Sequence, residues 1–265
     1  GNELKYVTEA IKSTWISSTG KFISQFESMF SQFCSTDHAV ATSNGTTALH
    51  LAIESLNIGI GDEVIVPSLT FAATANAVLH SGATPVFVDS LKDHWNIDPD
   101  KISNAINSKT KAILAVHLYG HPCDMSNIMK IAKEHNIFVI EDCAEATGAT
   151  INGEKVGSIG DIGCFSFFGN KIITTGEGGM CTTNNSDLNE RMRVLRDHGM
   201  DKSKRYWHNE IGYNYRMTNL SAAIGVAQME QIDLFLEKRQ ILRIQYDNSI
   251  NFNSNLLKPT DSFFG

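Results

Sequence analysis

Short runs of β-branched and other apolar residues alternate with longer segments of helical period between about residue 44 and residue 184. This alternation predicts parallel strands joined by crossover helices, because an amphipathic helix covers the face of the sheet between two such strands. The fold class is therefore predicted to be α/β, with a mostly parallel sheet sandwiched by helices. The predicted strands, each bounded by Gly, Pro, Asn or Asp, are residues 63–66, 85–89, 112–116, 138–141, 163–167 and 179–183.

Helices are expected in the gaps between these strands. Apolar residues recur at helical spacing in residues 46–56, 71–79 and 126–135, and Asp98-Pro99 is typical of an N-cap followed by proline. After about residue 186 the pattern becomes helical, and one long amphipathic helix over residues 220–243 is predicted to link two domains. The chain starts without methionine and stops in polar sequence, so we interpret it as part of a longer protein.

Composition narrows the function classes. Acidic residues outnumber basic ones by 29 to 22, which gives a net charge of −7 and no broad basic surface for nucleic acid. We find no apolar run long enough to span a bilayer and no secretion signal at the start. The five cysteines are scattered and odd in number, which favours reduced thiols over a disulfide framework. The sequence therefore predicts a cytoplasmic protein with no nucleic-acid or membrane partner.

One candidate metal site consists of His117, His121 and Cys123, which lie close together in sequence. Gly120 and Pro122 between them indicate a turn, and no second pair of ligands follows at a spacing known for zinc sites. We therefore predict that the protein holds no metal.

A candidate phosphate-binding turn, Ser43-Asn44-Gly45-Thr46-Thr47, leads into the first predicted helix. Free N–H groups and the positive dipole end of a helix favour an anion there, and glycine lets the backbone come close to it. The same residue types cap ordinary helices, so this pattern alone favours plain helix capping.

Two charged side chains follow predicted strands. Asp142 comes at the carboxyl end of a strand, where α/β proteins bind their ligands. Lys171 follows the aromatic residues 165–168 and precedes the glycine-rich segment 174–179. A lysine in a hydrophobic setting can lose its proton near neutral pH and become a nucleophile. Taken singly, Asp142 is compatible with a helix cap or an ion pair, and Lys171 with a solvated side chain.

Together, the turn, the aspartate and the lysine predict a site for pyridoxal 5′-phosphate. This cofactor needs a lysine for its Schiff base, a carboxylate that keeps the pyridine nitrogen protonated, and an anchor for its phosphate. The combination is more specific than any of its parts. A nicotinamide dehydrogenase is disfavoured because no strand leads into GxGxxG, and a hydrolase is disfavoured because there is no GxSxG elbow.

The chain resembles the DegT/DnrJ/EryC family of sugar aminotransferases, which share the aspartate aminotransferase fold, fold type I. The resemblance implies a large cofactor-binding domain over residues 1–237. Residues 238–265 would be the end of the linker helix and the start of a small C-terminal domain that is largely absent. The matching segments are residues 15–17, 43–46, 61–67, 117–125, 141–146 and 212–217 and the segment around Lys171.

The resemblance also implies roles in the chemistry. Lys171 would carry the cofactor and shuttle protons, and Asp142 would pair with the pyridine nitrogen. Phe71 would stack on the cofactor ring. Glu145 stands where many members have glutamine, near the phenolic oxygen of the cofactor, and a second acid beside Asp142 could raise the pKa of one of the two.

Four further residues would hold the cofactor phosphate by the same resemblance. Gly45, Thr46 and Ser166 would bind the phosphate of their own subunit. Asn214 would reach the phosphate in the neighbouring subunit, so the protein is expected to be a homodimer with shared active sites.

The expected amino donor is glutamate, and the expected acceptor is a nucleotide-linked 4-keto-6-deoxy sugar. Residues 117–125, 167–171 and 206–208 look closest to members that convert GDP-4-keto-6-deoxymannose into GDP-perosamine, a precursor of O-antigen and other polysaccharides. UDP- or dTDP-4-keto-6-deoxyglucose stays open as the acceptor. Related sugar 3-dehydratases carry histidine in place of the lysine, so Lys171 favours amino transfer. A non-catalytic regulatory protein that binds pyridoxal phosphate also stays open.

Overall fold

The computed structural model describes residues 1–201 and 203–251. Its strands are β1 (His38–Thr42), β2 (Glu63–Pro67), β3 (Thr84–Val88), β4 (Thr110–Val116), β5 (Phe138–Asp142), β6 (Thr150–Ile151), β7 (Glu154–Lys155), β8 (Ile162–Ser166) and β9 (Gly179–Thr183). A seven-stranded sheet in the order β1-β9-β8-β5-β4-β2-β3 forms the centre, and β6 pairs with β7 separately. Within the large sheet only β9 runs antiparallel to its neighbours, so the prediction of a mostly parallel α/β sheet is confirmed.

Helices cover both faces of this sheet. They are α1 (Glu3–Ser13), α2 (Lys21–Cys34), α3 (Gly45–Ser55), α4 (Ala72–His80), α5 (Pro99–Ala105), α6 (Met125–His135), α7 (Ser186–Leu195), α8 (Asn219–Met229) and α9 (Ile232–Ser249). One hydrophobic core lies beneath α2, α6 and α8, and a second lies beneath α3, α4 and α7. The sheet is therefore the middle layer of three, as the alternation of strands and helices predicts.

The central strands are apolar along their whole length because they are buried on both sides. Successive side chains point to opposite faces of the sheet. In β4, Ile113 and Ala115 join the core beneath α2, whereas Ala112 and Leu114 join the core beneath α3. A continuous apolar run of this length predicts a strand that is buried on both faces, as over residues 112–116.

The elements before the phosphate-binding turn are not among the sequence predictions. They are α1, α2 and the edge strand β1. The signal for α2 is present in the sequence, because Phe22, Phe26 and Phe30 recur at helical spacing and all three are buried. The strand β1 is paired on one side only, with β9, so its neighbour in the sheet comes from a distant part of the chain.

Two sequence predictions are wrong. The gap between β5 and β8 holds the β6–β7 hairpin and not a helix, because Asn152 and Gly153 both adopt positive φ and form a tight turn. The long helix predicted over residues 220–243 is in fact α8 followed by α9. The break falls at Gln231, which has non-helical dihedral angles (φ −120°, ψ 9°), beside Glu230, whose carboxylate accepts hydrogen bonds from α1.

Among the described residues, no helix has both the length and the apolar character that a membrane span requires. The domain boundary predicted between residues 237 and 238 falls inside α9. Residues 252–265, which belong to the predicted C-terminal unit, lie outside the described part of the chain. The division into domains therefore stays a prediction.

Candidate active site

The carboxyl ends of β1, β4, β5 and β8 lie at the same edge of the sheet, because these strands run in the same direction. The register places Val116 opposite Asp142, and Asp142 opposite Cys164. Side chains from segments that are far apart in sequence therefore meet at this edge. In open α/β sheets this edge is where ligands bind.

Asp142, the last residue of β5, is a buried carboxylate. Its Oδ2 accepts a 3.0 Å hydrogen bond from the hydroxyl of Thr74, and its Oδ1 accepts a 3.1 Å bond from the backbone N–H of Ala144. Burial raises the pKa of Asp142, and these two hydrogen bonds act in the opposite direction. A carboxylate in this setting gains stability from a cationic partner, which the protonated nitrogen of a pyridine ring provides.

The turn before α3 combines helix capping with an exposed helix N-terminus. The side chain of Asn44 accepts a hydrogen bond from Thr47 N (2.9 Å), and the Thr47 hydroxyl accepts one from Asn44 N (3.2 Å). These two hydrogen bonds form a capping box, which is the helix-capping role that the sequence pattern favours for this turn. Gly45 and Thr46, which come next, line a cavity at the carboxyl edge of the sheet, so their N–H groups lie at the positive end of the helix dipole.

Gly45 lies directly against Ser166, the last residue of β8. A Cβ atom on Gly45 would stand 2.7 Å from the Cβ and 3.1 Å from the Oγ of Ser166. Only glycine fits here without displacing the serine. The close approach brings the Ser166 hydroxyl next to the helix N-terminus, and both residues line the same cavity. The three residues expected to hold phosphate in their own subunit are thus gathered in one place.

Lys171 lies in the turn after β8, where its backbone N–H donates a 3.0 Å hydrogen bond to Phe168 O. Its side chain is 20% exposed, and Nζ is 3.9 Å from Oε1 of Glu145. The other carboxylate oxygen of Glu145 accepts a 2.8 Å hydrogen bond from Tyr119 N. Glu145 therefore links the lysine to the loop that follows β4.

These groups surround one cavity of about 680 Å³. Phe71, the N-cap of α4, lines it with a ring that is 76% exposed and is therefore available for stacking on a planar ligand. The sequence-predicted residues that line this cavity are Gly45, Thr46, Phe71, Asp142, Glu145, Ser166 and Lys171.

Asn214 is the one predicted site residue that does not line the cavity of its own chain. It is exposed, and its side-chain oxygen accepts hydrogen bonds from Nε and Nη2 of Arg216 at 3.3 and 2.9 Å. Arg216 is held in turn by Asp197, 2.6 Å away. This position is compatible with the expected role in a neighbouring subunit, which stays a prediction.

His50 and Tyr215 also line the cavity and are absent from the sequence predictions. Nδ1 of His50 is 2.9 Å from the hydroxyl of Tyr215. Burial lowers the pKa of His50 and raises the pKa of Tyr215, so both are uncharged near neutral pH. The signal that could have identified His50 is a polar residue within the otherwise apolar run of residues 48–53 in α3.

The three residues weighed as a zinc site do not come together as a ligand set. Nδ1 of His117 accepts a hydrogen bond from the backbone N–H of Cys123, and Nε2 therefore donates to Glu141 at 3.0 Å. Glu141 also accepts bonds from the backbone N–H groups of residues 157, 159 and 160. His117 and Glu141 are thus a buried pair beside Asp142, and no local sequence pattern indicates their contact.

The family model that the chain matches is the DegT/DnrJ/EryC1/StrS aminotransferase family, over residues 1–260. The chain belongs to this family. A curated relative in the family, the GDP-perosamine synthase of Caulobacter vibrioides, is 54% identical over 260 residues, which are 98% of this chain and 70% of the relative.

Solved structures of aminotransferases share the fold. The aminotransferase from Psychrobacter cryohalolentis has a TM-score of 0.82 and 44% identity, over 86% of this chain and 61% of that one. A putative sugar aminotransferase from Streptococcus pneumoniae, solved in its PLP form, has a TM-score of 0.88 and 32% identity, over 93% of this chain and 68% of that one. The chain thus spans less than two thirds of the Psychrobacter protein and about 70% of the Caulobacter relative. The fold type I assignment is confirmed.

Pyridoxal 5′-phosphate is the cofactor of the DegT/DnrJ/EryC1/StrS family. The residues of this chain fit it. Any side chain larger than glycine at position 45 would fill the space beside Ser166. The carboxylate of the buried Asp142 can accept a further hydrogen bond from a cationic partner, and Lys171 lines the same cavity.

Proposed function

We propose that this protein uses pyridoxal 5′-phosphate to transfer an amino group from glutamate to C4 of a nucleotide-linked 4-keto-6-deoxy sugar. The observation that carries the proposal is the convergence on one cavity of Lys171, the buried carboxylate of Asp142 and the glycine–serine contact at the N-terminus of α3. These are the contacts that the aldehyde, the ring nitrogen and the phosphate of the cofactor require.

Pyridoxal phosphate supplies an electron sink through which an amino group moves from donor to acceptor. Lys171 is proposed to bind it covalently and, once displaced by substrate, to move the proton at the reacting carbon. Asp142 is proposed to hold the ring nitrogen protonated, and Phe71 to cover one face of the ring. Gly45, Thr46 and Ser166 are proposed to bind the phosphate through N–H and hydroxyl donors.

Glu145 is proposed to lie beside the phenolic oxygen of the ring. Its carboxylate is 3.9 Å from Lys171 Nζ and fixed from behind by Tyr119 N. A carboxylate in this place attracts the ammonium form of the lysine and keeps the released side chain near the cavity.

We further propose a homodimer in which Asn214 of each subunit binds the cofactor phosphate of the other. The exposure of Asn214 on the surface of its own subunit supports this arrangement. The cytoplasm is the proposed compartment, supported by the five cysteines, all of which are buried and free of disulfides.

For the acceptor we propose GDP-4-keto-6-deoxymannose, with GDP-perosamine as the product. The support is the 54% identity to a GDP-perosamine synthase over nearly the whole chain. Amination of GDP-4-keto-6-deoxymannose, UDP-4-keto-6-deoxyglucose and dTDP-4-keto-6-deoxyglucose at equal concentration, followed by mass analysis of the products, tests this choice. Preferential use of a UDP or dTDP sugar would reject the GDP assignment and leave amino transfer intact.

The lysine assignment is tested by borohydride reduction of the cofactor-loaded protein and peptide mapping of the labelled lysine. We expect the label on Lys171 and its loss in Lys171→Ala. Lys130→Ala, which removes an exposed lysine from α6, is the matched control and should keep the label. A label on another lysine would refute the proposed site.

A further inference from the structure

His50 is a buried side chain that follows Thr46 by one turn of α3. Its Nδ1 is 2.9 Å from the hydroxyl of Tyr215, and its Nε2 is 3.3 Å from Oε1 of Glu54. The carboxylate of Glu54 favours the tautomer that has its proton on Nε2. Burial and the charge of Glu54 raise the pKa of Tyr215, so its hydroxyl keeps its proton. The Tyr215 hydroxyl therefore donates a hydrogen bond to Nδ1 of His50.

A second tyrosine packs against the same imidazole. Tyr213 stacks on Tyr215, with ring centroids 4.9 Å apart and an interplanar angle of 12°. The ring of Tyr213 also meets the ring of His50 at 5.0 Å in an edge-on arrangement. Burial and the nearby Glu54 raise the pKa of Tyr213 to about 12, so this hydroxyl is also uncharged. Two tyrosines thus converge on one turn of α3.

Asn214 stands between these tyrosines in the sequence. Asn214 and Arg216 each form an isolated antiparallel bridge, so the backbone is locally extended. Successive side chains of an extended backbone point to opposite sides. Because Tyr213 and Tyr215 both face α3, Asn214 points away from it, and Asn214 is exposed. The contacts of the two rings with α3 therefore fix the direction of the asparagine.

The backbone of this segment is bound on two sides. Tyr215 O accepts a 2.8 Å hydrogen bond from Ser43 N, and Tyr215 N donates a 3.1 Å bond to Arg196 O. These isolated bridges lack the continuous ladder of a sheet strand, so they leave the segment some freedom to rotate about its own axis. The hydrogen bond from the Tyr215 hydroxyl to His50 restricts this rotation.

We propose that His50 is a positioning residue which, through Tyr215, orients Asn214 to bind the cofactor phosphate of the neighbouring subunit. The inference rests on the proposed function, because it requires a homodimer with shared sites. The helix α3 then serves two sites: its N-terminus binds the phosphate of its own subunit, and His50 holds the segment that reaches the other. His50 also lines the cavity of its own chain, so the test must distinguish the two subunits.

Mixed dimers make this distinction. A dimer with one Lys171→Ala chain has a single site that carries the lysine. In the first arrangement His50→Leu is on the chain that keeps Lys171, and in the second it is on the Lys171→Ala chain. Cofactor retention is measured as the fraction of Lys171 labelled by borohydride after dilution.

We expect His50→Leu to weaken retention about tenfold in the second arrangement, where the single site takes its Asn214 from the chain that lacks the imidazole. In the first arrangement, retention should equal that of a dimer made from wild-type and Lys171→Ala chains. A merely structural role of His50 would not produce this dependence on which subunit is changed.

Three further variants, placed in the second arrangement, test the hydrogen bond itself. His50→Asn keeps an acceptor close to the position of Nδ1 and should recover part of the retention. Tyr215→Phe should reproduce the loss, and it should add little when combined with His50→Leu on the same chain. His135→Leu, a change at an exposed histidine on α6, is the matched control and should have no effect in either arrangement.

Asn214→Ala, placed in the same two arrangements, separates failure of this inference from failure of the proposed function. If Asn214→Ala lowers retention equally in both arrangements or in neither, the shared site falls. If Asn214→Ala acts only from the Lys171→Ala chain, the shared site stands. The role of His50 is then overturned if His50→Leu acts from the chain that carries Lys171, from both chains equally, or from neither.

Discussion

Thr74 donates a 3.0 Å hydrogen bond to Oδ2 of Asp142. Thr74 lies in the first turn of α4, the helix that begins beside Phe71, whereas Asp142 ends β5. The Thr74 hydroxyl therefore links the helix that begins beside Phe71, the proposed stacking residue, to Asp142, the proposed partner of the pyridine nitrogen. Burial disfavours the charged form of Asp142, so this hydrogen bond helps to keep the carboxylate ionised.

Thr74→Val should weaken cofactor binding about tenfold, because it removes a hydrogen bond to a charged group at nearly constant volume. The pKa of Asp142, already raised by burial, should rise further. Cofactor retention is therefore expected to decline on acidification at a higher pH in the variant than in the wild type. Cofactor titrations across pH measure both effects.

Two controls accompany this change. Thr74→Ser keeps the hydroxyl and should restore most of the affinity. Ser81→Ala removes a hydroxyl at the other end of α4, where it bonds only local backbone, and should leave affinity unchanged. Equal affinity in Thr74→Val and wild type would contradict the role given to Asp142.

Gly45→Ala should destabilise the protein by about 1–3 kcal/mol and sharply reduce cofactor retention. The added methyl group would collide with Ser166 at 2.7 Å, in a place where neither β8 nor the start of α3 can move freely. Thermal unfolding and cofactor titration measure the two losses. Ser166→Gly in the same chain should recover part of the stability but not the cofactor affinity. Full additivity of the two substitutions would show that the residues are not in contact.

Glu141→Gln should reduce the free energy of unfolding by about 3 kcal/mol at pH 7, because it disrupts a buried, fully bonded carboxylate. Burial raises the pKa of Glu141. The hydrogen bonds from His117 and from the backbone of residues 157 and 160 lower it by more, so the pKa of Glu141 lies below its ordinary value. A lowered pKa contributes stability that is present above the ordinary value of 4.5 and is lost as the pH falls through the folded-state value.

The difference in free energy of unfolding between Glu141→Gln and wild type, which we call the stability gap, should therefore be largest near neutral pH and should shrink below about pH 4.5. Denaturant unfolding at several pH values measures it. Glu190→Gln, which changes an exposed glutamate on α7, should show almost no gap at any pH. A gap for Glu141→Gln that stayed constant down to pH 3 would count against a charged Glu141 in the folded state.

Asn214→Ala should weaken cofactor binding while leaving the fold intact, because Asn214 is exposed and its side chain accepts hydrogen bonds from the neighbouring Arg216. Mixed dimers of Asn214→Ala with Lys171→Ala chains should contain one complete site made from both subunits and regain part of the activity. Activity no higher than that of the separate variants would argue against a shared site. Glu190→Gln, a change at an exposed side chain on α7, serves as the control for losses during preparation.

Local patterns were sufficient for the central sheet and for most of the proposed site. The apolar run of β4 and the turn before α3 each carry their signal within a few consecutive residues, and so does the lysine between aromatic and glycine-rich segments. The resemblance to a known family then assigned roles to Phe71, Ser166 and Asn214, for which no local physical signal exists.

The two wrong predictions have different causes, one local and one distant in sequence. The β6–β7 hairpin follows from the tight turn at Asn152 and Gly153, which both have positive φ. The break at Gln231 lies beside Glu230, whose carboxylate accepts hydrogen bonds from Asn2 and Tyr6, at the other end of the described chain. The propensities of residues 220–243 permit one continuous helix, and only packing against α1 and α2 separates the buried α8 from the exposed α9.

The sequence by itself determined the α/β class, six of the seven strands of the large sheet, and the lysine, aspartate and glycine on which the proposed chemistry depends. Tertiary structure alone decided that Thr74 meets Asp142, that Gly45 meets Ser166, and that Glu141 pairs with His117. The physical reason is the separation along the chain over which each effect acts. Propensity and periodicity act over one or two turns of chain, whereas these contacts exist only because parallel strands bring their carboxyl ends to the same edge of one sheet.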